Sequence, residues 1–318
     1  MKISLNLSQI KLRTKDFLIN LAFRLKPRLE FRWLLTLVLW LIFLTYLGLG
    51  IYFGREIYLR HSESSKVKFS AKIYPFPAAF VGGNIIWAKE YYQQLTYIRR
   101  FSERNKQPSP AEKELREQIM GQLVENRLLA WEAQKNGLRV TSKDVNEAFS
   151  KIVDQSGGIA NVQKTLRDLY DMSEDEFKDL VHDQVIKEKI QDQLIAQVKV
   201  AHILVKDEAR ANEVANKARS NEPWDQLAKT YSEDIKTRDS AGDLGWLARG
   251  NLVIDNLQVP EFEEAAFKAK IGEIFGPVKS EAGFQIGKVA EKKGKIQQSY
   301  TNWLNSLKKE TKIYIFIK

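Results

Sequence analysis

The stretch that decides the fold begins at Val198 with VKVAHILV. It continues through WDQLAKTYSED (Trp224–Asp234), GDLGWLARG (Gly242–Gly250), PEFEEAAFKAKIGEIFGPV (Pro260–Val278) and SEAGFQIGKVAEKK (Ser280–Lys293). VKVAHILV is rich in β-formers, and its period-2 alternation sets Val200, His202 and Leu204 on one face. Glu208–Arg219 then carries Ala211, Val214, Ala215 and Ala218 along one helical side. Gly272 precedes Ile274–Val278 and Gly283 precedes Phe284–Val289, each a turn followed by a strand. The order strand, helices, strand, helix, strand, strand predicts a small α/β domain over 198–295.

Upstream, residues 84–197 read as helices with explicit punctuation. Ser109-Pro110-Ala111-Glu112 reads as a capping box with proline at the first helical position. The helix it opens carries Leu115, Ile119, Leu123, Leu129 and Ala133 and stops at Gly137. Thr141 starts a second helix (Val145, Ala148, Phe149, Ile152), and a third covers Ile159–Leu169. Ser173-Glu174-Asp175-Glu176 opens a long fourth one with Phe177, Leu180, Val181, Val185, Ile190 and Leu194. The acidic residues here cap helices or sit on solvated faces, and His182 reads as a solvated surface position. Downstream, QQSYTNWLNSLKKE predicts an amphipathic helix with Tyr300, Trp303, Leu304 and Leu307 apolar, and TKIYIFIK a short strand.

Further toward the N-terminus, Trp33–Phe53 (WLLTLVLWLIFLTYLGLGIYF) has no charged residue. At about 1.5 Å per residue such a run spans roughly 30 Å, the thickness of a hydrocarbon core. It is too long for a signal-peptide h-region, and no A-x-A cleavage site follows. Arg24, Lys26, Arg28 and Arg32 crowd its N-terminal flank, whereas Arg55 and Arg60 share the other flank with Glu56. The positive-inside bias predicts a cytoplasmic N-terminus and exported residues 55–318. The leader, Leu5–Leu25, fits either a segment along the inner membrane surface or a solvated tail. The polar run HSESSKVK with Pro75 and Pro77 predicts a linker over 54–74.

Charge and composition exclude several functions. The formal net charge is +10, but residues 1–32 carry eight Lys/Arg against two Asp/Glu. The excess over 55–318 is too dilute for a nucleic-acid footprint. The absence of cysteine removes disulfide scaffolds, thiol nucleophiles and thiolate metal sites. His61, His182 and His202 lie far apart and form no HExxH pair, so neither a metal nor a cofactor is expected.

The series AHILV, WDQLAKTYSED, GDLGW, Arg249-Gly250, FEEAAF, GEIFGPV and AGFQI closely resembles the parvulin (PpiC-type) peptidyl-prolyl isomerase domain, over the whole of 198–295. VGGNIIWAKEY followed by QLVENRLLAWEAQKNGLRVTSKDV resembles the N-terminal chaperone region of SurA-like and PpiD-like folding factors. Together with the readings of charge and hydropathy, the resemblances give an α+β chain: residues 1–32 a basic cytoplasmic leader, 33–53 a transmembrane helix and 54–74 a linker. An all-α SurA-like chaperone domain follows over 75–197, completed by the helix and strand of 296–318, with the parvulin-like domain of 198–295, for which the resemblance implies a small, mostly antiparallel sheet, inserted.

An X-Pro bond isomerises over roughly 20 kcal/mol because amide resonance is lost in the twisted state. Catalysis needs an apolar slot for the proline ring, a dry setting and polar groups that favour the twist. Parvulin resemblance assigns the slot to Leu252 and Phe262, with Leu247 at a neighbouring position that is usually aromatic, polar roles to His202 and Asp234, and a cleft hydroxyl to Ser280. By residue type alone, His202 reads equally as a satisfied strand histidine, Asp234 as a turn or cap residue and Phe262 as core. Two positions depart from the parvulin pattern: Gln285 stands where a second histidine is usual, and Ala282 where a small hydroxyl is usual. The insertion VIDNLQV lengthens the loop before Pro260. The expected partners are unfolded or extended proline-containing polypeptides, with the membrane engaged through a single helix and no nucleic acid; the oligomeric state is not legible. The rival readings are a parvulin-fold holdase without strong catalysis, favoured by Gln285 and Ala282, and a membrane-bound assembly scaffold.

Overall fold

A computed structural model describes residues 7–108, 110–250, 252–254 and 257–317. The chain divides into two compact units, Met1–Phe76 with Phe316–Lys318, and Pro77–Ile315.

In the first unit, α1 (Leu7–Tyr58) is one continuous helix and α2 (Ser65–Ile73) a short second one. The segment Trp33–Tyr58 of α1 is long and apolar enough to cross a membrane by length and composition. Residues 54–74, expected as an irregular linker, are therefore largely helical. Ser64 caps α2, its Oγ accepting from the Val67 amide, and Val67, Ser70 and Ala71 are buried.

The second unit opens with a hairpin, β1 (Pro77–Val81) and β2 (Asn84–Trp87). Helices α3 (Ala88–Arg104), α4 (Glu112–Lys135), α5 (Ser142–Gln155), α6 (Ile159–Thr165) and α7 (Glu174–Gln193) follow, with a π turn over Leu166–Tyr170. Thr141 and Ser173 form capping boxes with Asp144 and Glu176. Ser109 lies outside the described residues; α4 starts at Glu112 with Ala111 at its N-cap and no side-chain cap. Proline at 110 has no amide hydrogen to be capped, and the carbonyl of Ala111 already accepts from Leu115.

The chain then builds β3 (Gln197–Val205), α8 (Glu208–Arg219), α9 (Trp224–Tyr231) and β4 (Asp243–Ala248). A two-residue ribbon, β5 (Val253–Ile254) with β6 (Leu257–Gln258), leads to α10 (Pro260–Lys268), β7 (Ile274–Ser280) and β8 (Gly283–Lys293). Asp255 and Asn256 of the expected insertion lie outside the described residues. Strand order in the main sheet is β4-β3-β8-β7, antiparallel throughout. One face packs Ile203, Val205 and Ile286 against α8 and α9, including Val214, Ala215 and Leu227. The other packs Val198, Val200, Phe275 and Val289 against Phe262, Ala266 and Phe267 of α10. The α/β segment is entered and left at one place, because Ile195 bridges Ile296 and the Ala196 amide donates to the Ile296 carbonyl at 2.8 Å.

The chain closes with α11 (Tyr300–Glu310) and β9 (Ile313–Ile315). Leu304, with Tyr300 and Trp303, packs on Leu129 and Ala133 of α4 and Ile186 and Ile190 of α7. Lys308 pairs with Glu125 at 2.9 Å. Strand β9 joins the first hairpin, giving the order β2-β1-β9 with Ala79 opposite Ile315.

Candidate active site

The polar residues singled out in the sequence meet around His202, in the middle of β3. Its ring is fully buried, as is Gln285, and Asp234 is nearly so. Register sets Leu204 opposite Gln285 and His202 opposite Gly287, which brings Gln285 diagonally within reach of the imidazole. The Gln285 Oε1 lies 3.0 Å from His202 Nδ1, and Gln285 Nε2 donates to Ser280 Oγ at 3.2 Å. Ser280 Oγ in turn donates to the Gly283 carbonyl at 2.9 Å, closing the β7–β8 turn. On the other side, His202 Nε2 lies 2.9 Å from Asp234 Oδ2 and 3.0 Å from Thr237 Oγ1. Thr237 donates its own hydrogen to Asp234 Oδ2 at 2.5 Å, leaving an oxygen lone pair toward the ring. Each ring nitrogen therefore faces an oxygen able to accept a hydrogen bond.

Asp234 follows α9 in a tight turn. Ser232 Oγ accepts from the amides of Leu204 and Asp234, and the Asp234 carbonyl accepts from Arg238. Burial raises the Asp234 pKa. Donation by the Thr237 hydroxyl, His202 and the Lys236 amide outweighs it, holding the carboxyl below its ordinary value.

Two glycines make room for this arrangement. A Cβ on Gly242, whose φ is +72°, would stand 1.9 Å from the His202 carbonyl oxygen; the Gly242 carbonyl accepts the His202 amide at 2.8 Å. The GDLGW motif thus begins with glycine because its backbone lies directly against β3. Gly287 faces His202 on one side and Phe275 on the other, and a Cβ there would be 2.1 Å from the Phe275 ring. The Phe275 ring lies over that gap and meets Phe262 with centroids 5.0 Å apart, while Phe262 meets His202 edge-on at 6.3 Å.

The three apolar positions also converge. Leu252 and Phe262 belong to one buried cluster with Val259 and Phe275, and Leu247 packs against it. Phe262 has 0% exposure, so a proline ring reaches it only when surrounding side chains withdraw. Thr237 and Phe275 escaped the sequence reading. Thr237 stands three residues after Asp234, a spacing that places a hydroxyl back over the carboxylate in a turn; Phe275 was legible only as a strand residue.

Two family profiles match this chain. The one described as a SurA-like N-terminal domain covers residues 27–191, and the one described as a PPIC-type PPIASE domain covers 183–293. The foldase protein PrsA 2 of Bacillus anthracis is 31% identical over 209 residues, covering 63% of this chain and 70% of that protein. The chain belongs to the PrsA-like foldases. Another such foldase, PrsA of Caldanaerobacter subterraneus, is 35% identical over 176 residues, covering 54% of this chain and 56% of that protein. A crystal structure of the peptidylprolyl isomerase PrsA from Bacillus anthracis aligns at 27% identity with TM-score 0.30, covering 60% of this chain and 86% of that one. Three of the curated PrsA relatives are spanned over 56, 66 and 55% of their own length. The residues of the His202 network lie within the span matched by the PPIC-type profile.

Proposed function

We propose that this chain is a membrane-anchored, extracytoplasmic folding factor that binds extended exported polypeptides and catalyses cis–trans isomerisation of their X-Pro bonds. The observation that carries the reading is the closed polar chain Ser280–Gln285–His202–Asp234–Thr237 lying beside the Leu247–Leu252–Phe262 cluster. Phe262, Leu252 and Leu247 supply the apolar slot. His202 and Asp234 set a fixed field of hydrogen bonds beside it, which stabilises the twisted amide without needing a nucleophile. Gln285 accepts from the ring but cannot share a proton with it as a histidine would. The helices of 75–197, completed by 296–318, would hold the unfolded chain.

The anchor reading is supported by the apolar segment Trp33–Tyr58 and the basic flank before it. A reporter fused after Lys318 is expected to be active only outside the cytoplasm, and protease added to spheroplasts should remove 55–318. Protection of that region would overturn the topology.

A second reading, a holdase in which the parvulin fold only grips peptide, is favoured by Gln285 and by the complete burial of Phe262. A protease-free proline-isomerisation assay on residues 55–318 separates the two. Turnover above the uncatalysed rate supports the enzyme. Peptide binding that depends on Phe262, with no turnover, leaves the holdase.

A further inference from the structure

Helix α2 has two unlike faces. Val67, Ser70 and Ala71 are buried, whereas Phe69 and Ile73, one turn apart on the opposite side, are 65% and 52% exposed. The same helix carries Lys66, Lys68 and Lys72 and no acidic residue. Its place beside α1 gives that exposed face a neighbour. Tyr74, which ends α2, stacks on Tyr46 at 4.5 Å, and its hydroxyl donates to the Tyr46 carbonyl at 3.0 Å. A Cβ on Gly50 would lie 3.1 Å from the Tyr74 ring. Phe76 stacks on Tyr74 at 5.4 Å and meets Tyr58 edge-on at 6.3 Å. The chain thus runs up α1 to Tyr58, turns, descends through α2, and sets the Tyr74 ring level with Tyr46 and Gly50. Those residues belong to the charge-free run that ends at Phe53. At the helical rise, Tyr46 lies about 10 Å inside the end of that run.

We propose that α2 and Tyr74 form a lipid-inserting hairpin with the top of α1, its occupant the outer leaflet of the bilayer. Phe69 and Ile73 enter the acyl region, while Lys66, Lys68 and Lys72 extend along the helix to the phosphodiester headgroups. The depth at which Tyr74 is held matches the 5–10 Å, roughly, to which an interfacial helix sinks its apolar face. Three lysines without a carboxylate on the helix suit phosphate oxygens, and the tyrosines suit the boundary between apolar and wet layers. The proposal rests on reading α1 as a membrane span.

The chain contains no cysteine, so single labels can be placed without background. Phe69→Cys, Leu44→Cys and Ile271→Cys, each labelled with a bimane fluorophore, are compared in the full chain reconstituted into phosphatidylcholine–phosphatidylglycerol vesicles. Leu44 lies in the span and Ile271 on the exposed surface of the second unit. The label at 69 is expected to lose emission to doxyl-labelled lipid much as the label at 44 does, and to resist iodide, which quenches the label at 271. Quenching of position 69 by iodide overturns the proposal. So does protection from both quenchers, which would mean that a protein surface, including a second copy of the chain, covers α2. Failure of lipid to quench position 44 would instead remove the span itself, a result distinct from loss at 69 alone.

Discussion

Phe262→Ala tests whether the ring beside His202 is structural cement for the sheet as well as a binding surface. The ring is fully buried and held between two elements that cannot close over a gap. Phe275, its ring centroid 5.0 Å from that of Phe262, lies across Gly287, and His202 is tied on both sides by hydrogen bonds. Truncating a buried phenylalanine costs about 3–5 kcal/mol, and less where neighbours collapse. The loss of ring–ring contacts, about 0.5–1.5 kcal/mol, and the rigidity of both partners put this site in the upper half of that range. Amide hydrogen exchange on the whole chain reads the effect by region. If the amides pairing β3 with β8 exchange through opening of this domain, their protection should fall by roughly three to three and a half orders of magnitude. Amides of α4 and α7 should be unchanged, since none of their residues belongs to the Phe262 cluster. A loss in β3 and β8 of less than about tenfold would refute the packing argument. An equal loss in α4 and α7 would refute the claim that this core is separate.

Gln285→His should raise proline-isomerisation turnover, measured without a coupling protease; an unchanged rate in an otherwise active protein would show that the second nitrogen is not what limits the site. The Asp234 carboxyl is held below its ordinary value in the fold, so its contribution is present above the unfolded value of about 3.9 and is lost as pH falls through the folded one. Urea midpoints of the α/β domain should therefore drop between pH 5 and pH 3, and Asp234→Asn should be less stable near neutrality and show a smaller drop. Gly242→Ala forces a left-handed alanine into the His202 carbonyl and should cost more than about 2 kcal/mol, seen as a lower midpoint or loss of soluble protein. Residues 55–295 should melt below 55–318, because α11 and β9 leave the α4–α7 cluster and the first hairpin unfinished; equal melting temperatures would contradict that packing.

What was legible in the sequence is what neighbours along the chain decide. Thr141 and Ser173 announce their helices because cap and partner are three residues apart, so the hydrogen bonds form within one turn. The charge-free run before Phe53 is legible because length and polarity are local sums, and the alternation in VKVAHILV because a strand's period is two residues. These determined the α+β class, the order of elements and the residues facing inward. The contacts decided by tertiary structure join distant positions: His202 to Gln285 across 83 residues, Lys308 to Glu125 across 183. The helix within 54–74 escaped the sequence for the same reason. Polar and proline residues weaken a helix taken alone, but α2 gains a buried face and Tyr74 an anchor only once the chain folds back on α1. Thr237 likewise becomes a partner of His202 only after the turn following α9 is laid against β3, and no pattern along the chain encodes that approach. Local periodicity is written residue by residue, whereas register and close approach depend on which surfaces are left to bury once the elements exist.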